Sequence, residues 1–488
     1  METNIYTGTL TYKGIDFTFV FDKNELRLVP PSEKHREVDL WFLKALGGGA
    51  YTMGDSLYAE ESIITSSCNE CYQIKFLPSY HSPIGHINSV VVIDIQAYII
   101  YKSRSNGVKK IAFECPEINS IYSTRQAIET KRYSDGAFEI KTLRIDTSDK
   151  EKQIFNVDGK AVEIYFDIIQ KTTQAVTKPP LSLQSCLCFR FEPTDDIGFI
   201  YKLHQIAKSF IEYLCYRRDI FFEKTHIYTE ANDTARTTFQ NGELFVISEH
   251  LPIDEKSIKD GRCIMHCYIA EAETTILNAI AENTLYMRHL PESREAGQHI
   301  NAARFVMITA AFEWEFKKLY PDGLRRKDAS IKAEEIATQV LTTLINESKG
   351  KLKGLYKSLL KNGIGFAPLQ SKMVQVGKDL DSIIAPFGKY LCAINKKELN
   401  YSKMGERLAT QRNHYAHGDL DEEFIGDSFL HRKHQQTICA ELSTAPREKF
   451  FILSAQVHQT IECGRLLIAI ITFYQKLNRC PTRQQART

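Results

Sequence analysis

Ile15-Asp16-Phe17-Thr18-Phe19-Val20-Phe21 sets apolar residues at every second position, the period of a strand with one face buried. Tyr12-Lys13-Gly14 just before it supplies a turn, so the chain is expected to open on a β-hairpin. Strand-like runs recur at Tyr72–Leu77, Val90–Tyr101, Phe138–Ile145, Val162–Ile168 and Leu183–Phe191, separated by polar, turn-rich stretches such as Ser103–Val108. Residues 1–194 therefore read as a β-rich N-terminal domain with a sensing or regulatory part to play. The pattern then changes. Ile197–Tyr216 has helical spacing, Glu243–Ile247 reads as one more strand, and Cys263–Met287 looks helical again, which makes 195–294 a mixed α/β connecting region.

Leu290-Pro291-Glu292-Ser293-Arg294-Glu295-Ala296-Gly297 is polar with Pro and Gly, the composition of a domain boundary. Beyond it Phe305, Ile308, Phe312, Phe316 and Leu319 recur at spacings of three and four, one buried face of a helix that Pro321 and Gly323 end. A closing helix from Arg447 to Leu477 carries Phe450, Leu453, Val457, Ile461, Gly464, Ile468 and Ile471 at similar spacings. Between them a helix is expected over Ser402–His417, with Gly418 suited to the residue just past its end. The fold class is thus α+β and multidomain: a β-rich N-terminal region, a mixed middle, and an all-α bundle over 295–488.

A chain of 488 residues exceeds what one core normally organises. With 43% hydrophobic and 25% charged residues it has globular, not disordered, composition. The N-terminus lacks a basic segment followed by an apolar run, and the longest late apolar stretch, Leu466–Ile471, is too short for a bilayer, so a cytoplasmic protein without membrane contact is expected. Twelve scattered cysteines do not make a disulfide framework. The net charge of +2 hides an asymmetry: 295–488 holds 29 Lys+Arg against 20 Asp+Glu, and 1–294 holds 33 against 40. Such a division suits two parts that dock on each other, or a basic part that meets a polyanion.

Arg412 lies beside the apolar stripe of its helix, near Met404, Leu408 and Tyr415. A charge there needs a partner or a functional cleft, and a structural salt bridge is the alternative to chemistry. The sequence around it is Arg412-Asn413-His414-Tyr415-Ala416-His417-Gly418-Asp419, with Asn413 and His417 four residues apart on one face. Cutting RNA without a metal requires a base for the 2′-hydroxyl, an acid for the leaving 5′-oxygen, and positive charge at the phosphorane. His417 suits acid/base catalysis, Arg412 the phosphate, and Asn413 the orientation of either; His414 reads as a neighbour. Arg294 and His299 have the same spacing, but without the adjacent Asn or the buried helix. On an ideal helix Arg412 and His417 point about 140° apart, so they converge only if the helix end unwinds or a second protomer contributes.

With these residues, positions 295–480 resemble the HEPN superfamily of helical ribonucleases, whose site carries Arg, usually a polar residue, then His after a short gap. Together with the β-rich N-terminal region and Ala310-Ala311-Phe312-Glu313-Trp314 in the first bundle helix, the chain looks like the ApeA-type bacterial anti-phage proteins. The resemblance implies a metal-independent endoribonuclease that leaves a cyclic phosphate, an active site at a homodimer or higher-oligomer interface, and a role in abortive infection with a phage-derived trigger as partner. It implies no cofactor. Some relatives carry a Tyr two residues after the His that is nucleotidylated for control. Asp419 stands there, so that control is not expected.

Glu313 is a further candidate from the neighbouring helix, with an ordinary surface carboxylate as the alternative. Residues 348–378 hold seven lysines and no acid, and Lys349, Lys353, Lys357 and Lys361 repeat every four residues. That is either a phosphate track for RNA or a solvated face, and the lack of balancing Glu favours RNA. Cys68-Asn69-Glu70-Cys71 offers two zinc ligands, with Cys186 and Cys188, or Cys263, His266 and Cys267, as completions, but no second pair has convincing spacing. Buried, unliganded cysteines and no metal are expected. Gly47-Gly48-Gly49 precedes Ala50-Tyr51-Thr52, not the Lys-Ser/Thr of a phosphate loop. The reading of another class is a non-catalytic HEPN-like dimerisation or ligand-binding protein.

Overall fold

The computed structural model describes residues 5–417, apart from internal stretches of which 144–152, 231–237, 248–262 and 390–397 are the longest. Gly418, Asp419 and the helix expected over Arg447–Leu477 lie outside the described residues. The chain divides into two compact units, Met1–Leu285 and Tyr286–Thr488. The architecture is α+β, with the strands in the first unit and the second unit helical among its described residues.

The first unit opens with β1 (Tyr6–Tyr12), β2 (Ile15–Asp22) and β3 (Glu25–Val29) as an antiparallel meander. Lys13 and Gly14 both have positive φ, the geometry of a tight two-residue hairpin turn, and Tyr12 pairs with Ile15 across it. The alternation of β2 has its physical result: Ile15, Phe17, Phe19 and Phe21 are all buried. A short helix α1 (His35–Trp41) and a small hairpin of β4 (Leu43–Gly47) and β5 (Ala50–Met53) follow. Next come β6 (Ile63–Cys68), β7 (Gln73–Pro78), β8 (Gly85–Ile87) and β9 (Val90–Tyr101). β6 pairs with β1 and β7, and β9 pairs with β3 through its first half and with β7 through its second. The six strands β9-β3-β2-β1-β6-β7 therefore close into a barrel, filled by Phe17, Phe19, Phe21, Phe76, Leu26 and Val91 among others.

The second half of β9 also pairs with β17 (Thr238–Val246), which carries the sheet onward. In spatial order that extension is β17, β16 (Lys224–Glu230), β10 (Val108–Glu114), β15 (Leu181–Thr194), β14 (Lys160–Thr172) and β13 (Gln153–Val157). A separate hairpin joins β11 (Ile128–Arg132) and β12 (Phe138–Thr142). Helix α2 (Pro116–Ile121) follows β10, and α3 (Ile197–Cys215) covers one face of the extension. The Asp196 side chain accepts the Phe199 N–H at 3.0 Å to cap α3, and Tyr216 in the left-handed region ends it. Ile200, Leu203, Ala207, Phe210 and Leu214 pack with Ile111, Phe113, Phe189 and Ile227 from the sheet. Residues 197–246 thus add a helix and two strands to the same sheet and core, not a body of their own. Among the described residues, the helical spacing of Cys263–Met287 yields a 3₁₀ turn at His266–Tyr268 and α4 (Glu273–Ala281) in place of one helix, with Cys263, Ile269, Ile276 and Leu277 each in the sheet core.

In the second unit the stretch expected as a boundary carries a short helix, α5 (Arg294–Gln298). It is followed by α6 (Ala302–Leu319), α7 (Asp328–Glu347), α8 (Gly350–Gly363), α9 (Leu369–Asp379) and α10 (Tyr401–His417). Asn301 caps α6 by accepting the Arg304 N–H at 2.8 Å. Phe305, Ile308, Phe312 and Phe316 are buried, as their spacing predicts. Ile308, Phe312 and Phe316 form a core with Met373, Val376 and Leu380, against which Tyr401, Met404 and Leu408 pack. Among the described residues no helix is long and apolar enough to cross a membrane.

Candidate active site

Three helices of the second unit converge on one carboxylate. Glu313, on α6, accepts the Lys372 ammonium of α9 at 2.7 Å through Oε1, and Arg412 Nη2 of α10 lies 3.6 Å from its Oε2. Arg412 Nη1 also donates to the Asn413 side-chain oxygen at 3.2 Å. The charge beside the apolar stripe therefore has a partner. The cluster is graded in exposure: the Lys372 side chain is 12% accessible, Glu313 29% and Arg412 42%. The lysine is held inside, beside the Phe316 ring, while the arginine is the most exposed of the three. One carboxylate against two cations leaves the cluster net positive.

The local sequence explains how α10 reaches this position. A Cβ on Gly405 would stand 2.8 Å from Gln370 Cα and 2.9 Å from the Gln370 carbonyl oxygen, so only glycine lets α10 approach the backbone of α9 so closely. At the far end of the helix the Tyr415 ring packs edge-on against Phe305 of α6 at 5.8 Å, and Gln411 donates to the Tyr415 hydroxyl at 3.1 Å. These contacts hold the helix at both ends and set Arg412 opposite Glu313.

Asn413 and His417 are exposed, and the helix is regular from Tyr401 to His417, the last residue described. The end does not unwind within the described residues, so the angle of about 140° between Arg412 and His417 persists within one chain. A cleft of about 430 Å³ flanks α10, with Arg407, Thr410, Gln411, His414 and Tyr415 among its lining. Arg412, Asn413 and His417 are not among its described lining residues. Of the lysine series, Lys349 lies just ahead of α8, and Lys353, Lys357 and Lys361 follow along it. Among the described residues no carboxylate pairs with any of the four. Leu352, Leu355 and Leu359 on the same helix are about half exposed.

Lys372 is the residue of this cluster that sequence reasoning did not single out. It stood among the seven lysines of 348–378, and its partner is 59 positions away. The cysteines weighed as completions of a Cys68/Cys71 zinc site do not join that pair. Cys68 and Cys71 pack on the barrel core, Cys263 belongs to the core under α3, and Cys186 and Cys188 form a separate cluster on the sheet. No protein-family model matches the chain, and no curated protein or solved structure does.

Proposed function

We propose that the helical unit is a metal-independent endoribonuclease of the HEPN type, cutting RNA to a 2′,3′-cyclic phosphate and a 5′-hydroxyl. The observation that carries this reading is the placement of Arg412-Asn413-x-x-x-His417 on the last described turns of α10, with the Arg412 guanidinium held by Glu313 and Asn413 and still partly exposed. In the reaction the 2′-oxygen bonds to phosphorus as its proton passes to a base, and the bond to the 5′-oxygen breaks as that oxygen takes a proton from an acid. His417 serves one of these transfers. Arg412 neutralises the charge that builds on the phosphorane. Lys349, Lys353, Lys357 and Lys361 offer the RNA backbone a track of positive charge.

Because Arg412 and His417 diverge on a regular helix, the complete site is assigned to a homodimer or higher oligomer in which two α10 ends face each other. The role in abortive infection, with the N-terminal region sensing a phage-derived trigger or restraining the bundle, rests on the resemblance in architecture and motif. Sequencing RNA ends in cells that express the wild-type chain or His417→Ala tests the proposal. New ends should appear with the first and vanish with the second, and cleavage by the purified protein should persist in EDTA. Identical ends in both, from well-expressed proteins, would reject it.

A second reading draws on the same ion pair. Arg412 already has a protein partner, and His417 does not converge on it within the chain, as in a non-catalytic HEPN-like dimerisation scaffold. That reading expects His417→Ala to change assembly or nothing, and never RNA.

A further inference from the structure

The sheet extension of the first unit has a second face, opposite α3, and its centre is neither apolar nor an ordinary polar surface. Register places Tyr165, Cys188, Ala112 and His226 in one row across β14, β15, β10 and β16, and Asp167, Cys186 and Glu114 in the next. Cys186 and Cys188 are almost fully buried. Their sulfurs are 3.6 Å apart, and one ligand atom from each of Asp167, Cys186 and Cys188 lies within 4.8 Å of the others. The Lys110 ammonium sits over the Tyr228 ring at 4.7 Å and the Tyr165 ring at 5.3 Å, beside the same thiols.

Three considerations separate this cluster from two core cysteines that happen to touch. Residues i and i+2 of an extended strand have Cα atoms about 6.6 Å apart, at the edge of what a disulfide can span, so oxidation to each other is poorly served. Tetrahedral thiolate zinc, with Zn–S near 2.3 Å, needs sulfurs about 3.8 Å apart, close to the spacing seen. The charges also balance: two thiolates and a carboxylate around a divalent ion leave one negative charge that Lys110 offsets, while Glu114, in the same row as Cys186, is neutralised by Lys171.

We propose that Cys186, Cys188 and Asp167 bind a zinc ion that pins β15 to β14, with a water completing its tetrahedron. The three residues are contributed by adjacent strands, with Asp167 directly opposite Cys186. The site is independent of the helical unit and of the reaction assigned to it.

The test uses the full-length chain, stripped with a chelator and titrated with Zn²⁺, then with Co²⁺ as an optical probe of thiolate ligation. The wild type should hold one equivalent of zinc and give an intense near-ultraviolet cobalt–thiolate band. Cys186→Ser and Cys188→Ser should lose both, Asp167→Asn should weaken binding by more than the about tenfold that loss of a ligand's supporting hydrogen bond costs, and Cys71→Ser should leave it unchanged. Should the buried serine variants fail to fold, Asp167→Asn decides, because that side chain is only half-buried. Unchanged affinity in folded Asp167→Asn would overturn the proposal, as would a wild-type chain that binds no zinc or a metal signal lost with Cys71→Ser alone.

Discussion

The Arg412 guanidinium lies 3.6 Å from the Glu313 carboxylate, and both groups remain partly open to water. Such a pair contributes at most about 1 kcal/mol to stability, so its geometry bears more on where the guanidinium points than on whether the bundle folds. Arg412→Ala is expected to shift the thermal midpoint little and to abolish cleavage. His417→Ala should lower the rate by about 10²–10⁴-fold at unchanged stability. Glu313→Gln should keep part of the activity, since it loosens Arg412 without removing it. Steady-state cleavage of a labelled RNA beside melting curves checks all three, and a stable, fully active Arg412→Ala protein would contradict the assignment.

The divergence of Arg412 and His417 along α10 makes a statement about assembly. Mixing inactive Arg412→Ala with inactive His417→Ala should restore some cleavage, because one of the two composite clefts of the mixed dimer can draw its Arg from one chain and its His from the other. Full activity from a monomer at nanomolar concentration, by sizing and cleavage assays, would remove the shared site.

Lys353, Lys357 and Lys361 follow one another along α8 at the helical spacing of four. Replacing Lys353 and Lys357 by Gln should weaken RNA binding uniformly across sequences. It should also reduce the slope of log affinity against log salt by about 0.7 for each single-strand phosphate that the variant no longer neutralises. Binding isotherms at several salt concentrations measure this. An unchanged slope would make the stripe a solvated face.

His204, buried in α3 against Phe113 and Phe222, has its imidazole pushed down to about 3, chiefly by burial and secondarily by the Lys208 ammonium. Its unfolded value is near 6.5, so between these two pH values the unfolded chain binds the extra proton and stability falls as pH falls. At pH 5 the cost is about 2 kcal/mol relative to pH 8. His204→Phe should remove that part of the acid loss. Melting of wild type and variant at pH 8 and pH 5 should show a gap that widens in acid, and parallel losses would exclude His204 as the source.

What the sequence disclosed divides along physical lines. The buried face of β2, the stripe on α6 and the start of α10 were legible, because each rests on a period repeated within a few residues. Closure of the barrel was not, since it depends on β7 pairing with β9 in a register that no local pattern encodes. The same limit hid Lys372 from Glu313. Asp167 and Cys186 show it again: 19 positions apart, they meet only because β14 and β15 pair at that register. In the other direction, apolar spacing in 263–287 suggested a long helix, but those residues reach the sheet core from separate turns.

β9 has a consequence for how the first unit responds to stress. Its twelve residues serve the barrel through β3 and β7 and the open extension through β17. Neither half can melt without stripping hydrogen bonds from the other, so the two should exchange amide hydrogens as one cooperative block. A ligand that tightened the barrel would thus register as slower exchange under α3, and the unit would pass on such a signal by stiffening, with no hinge required.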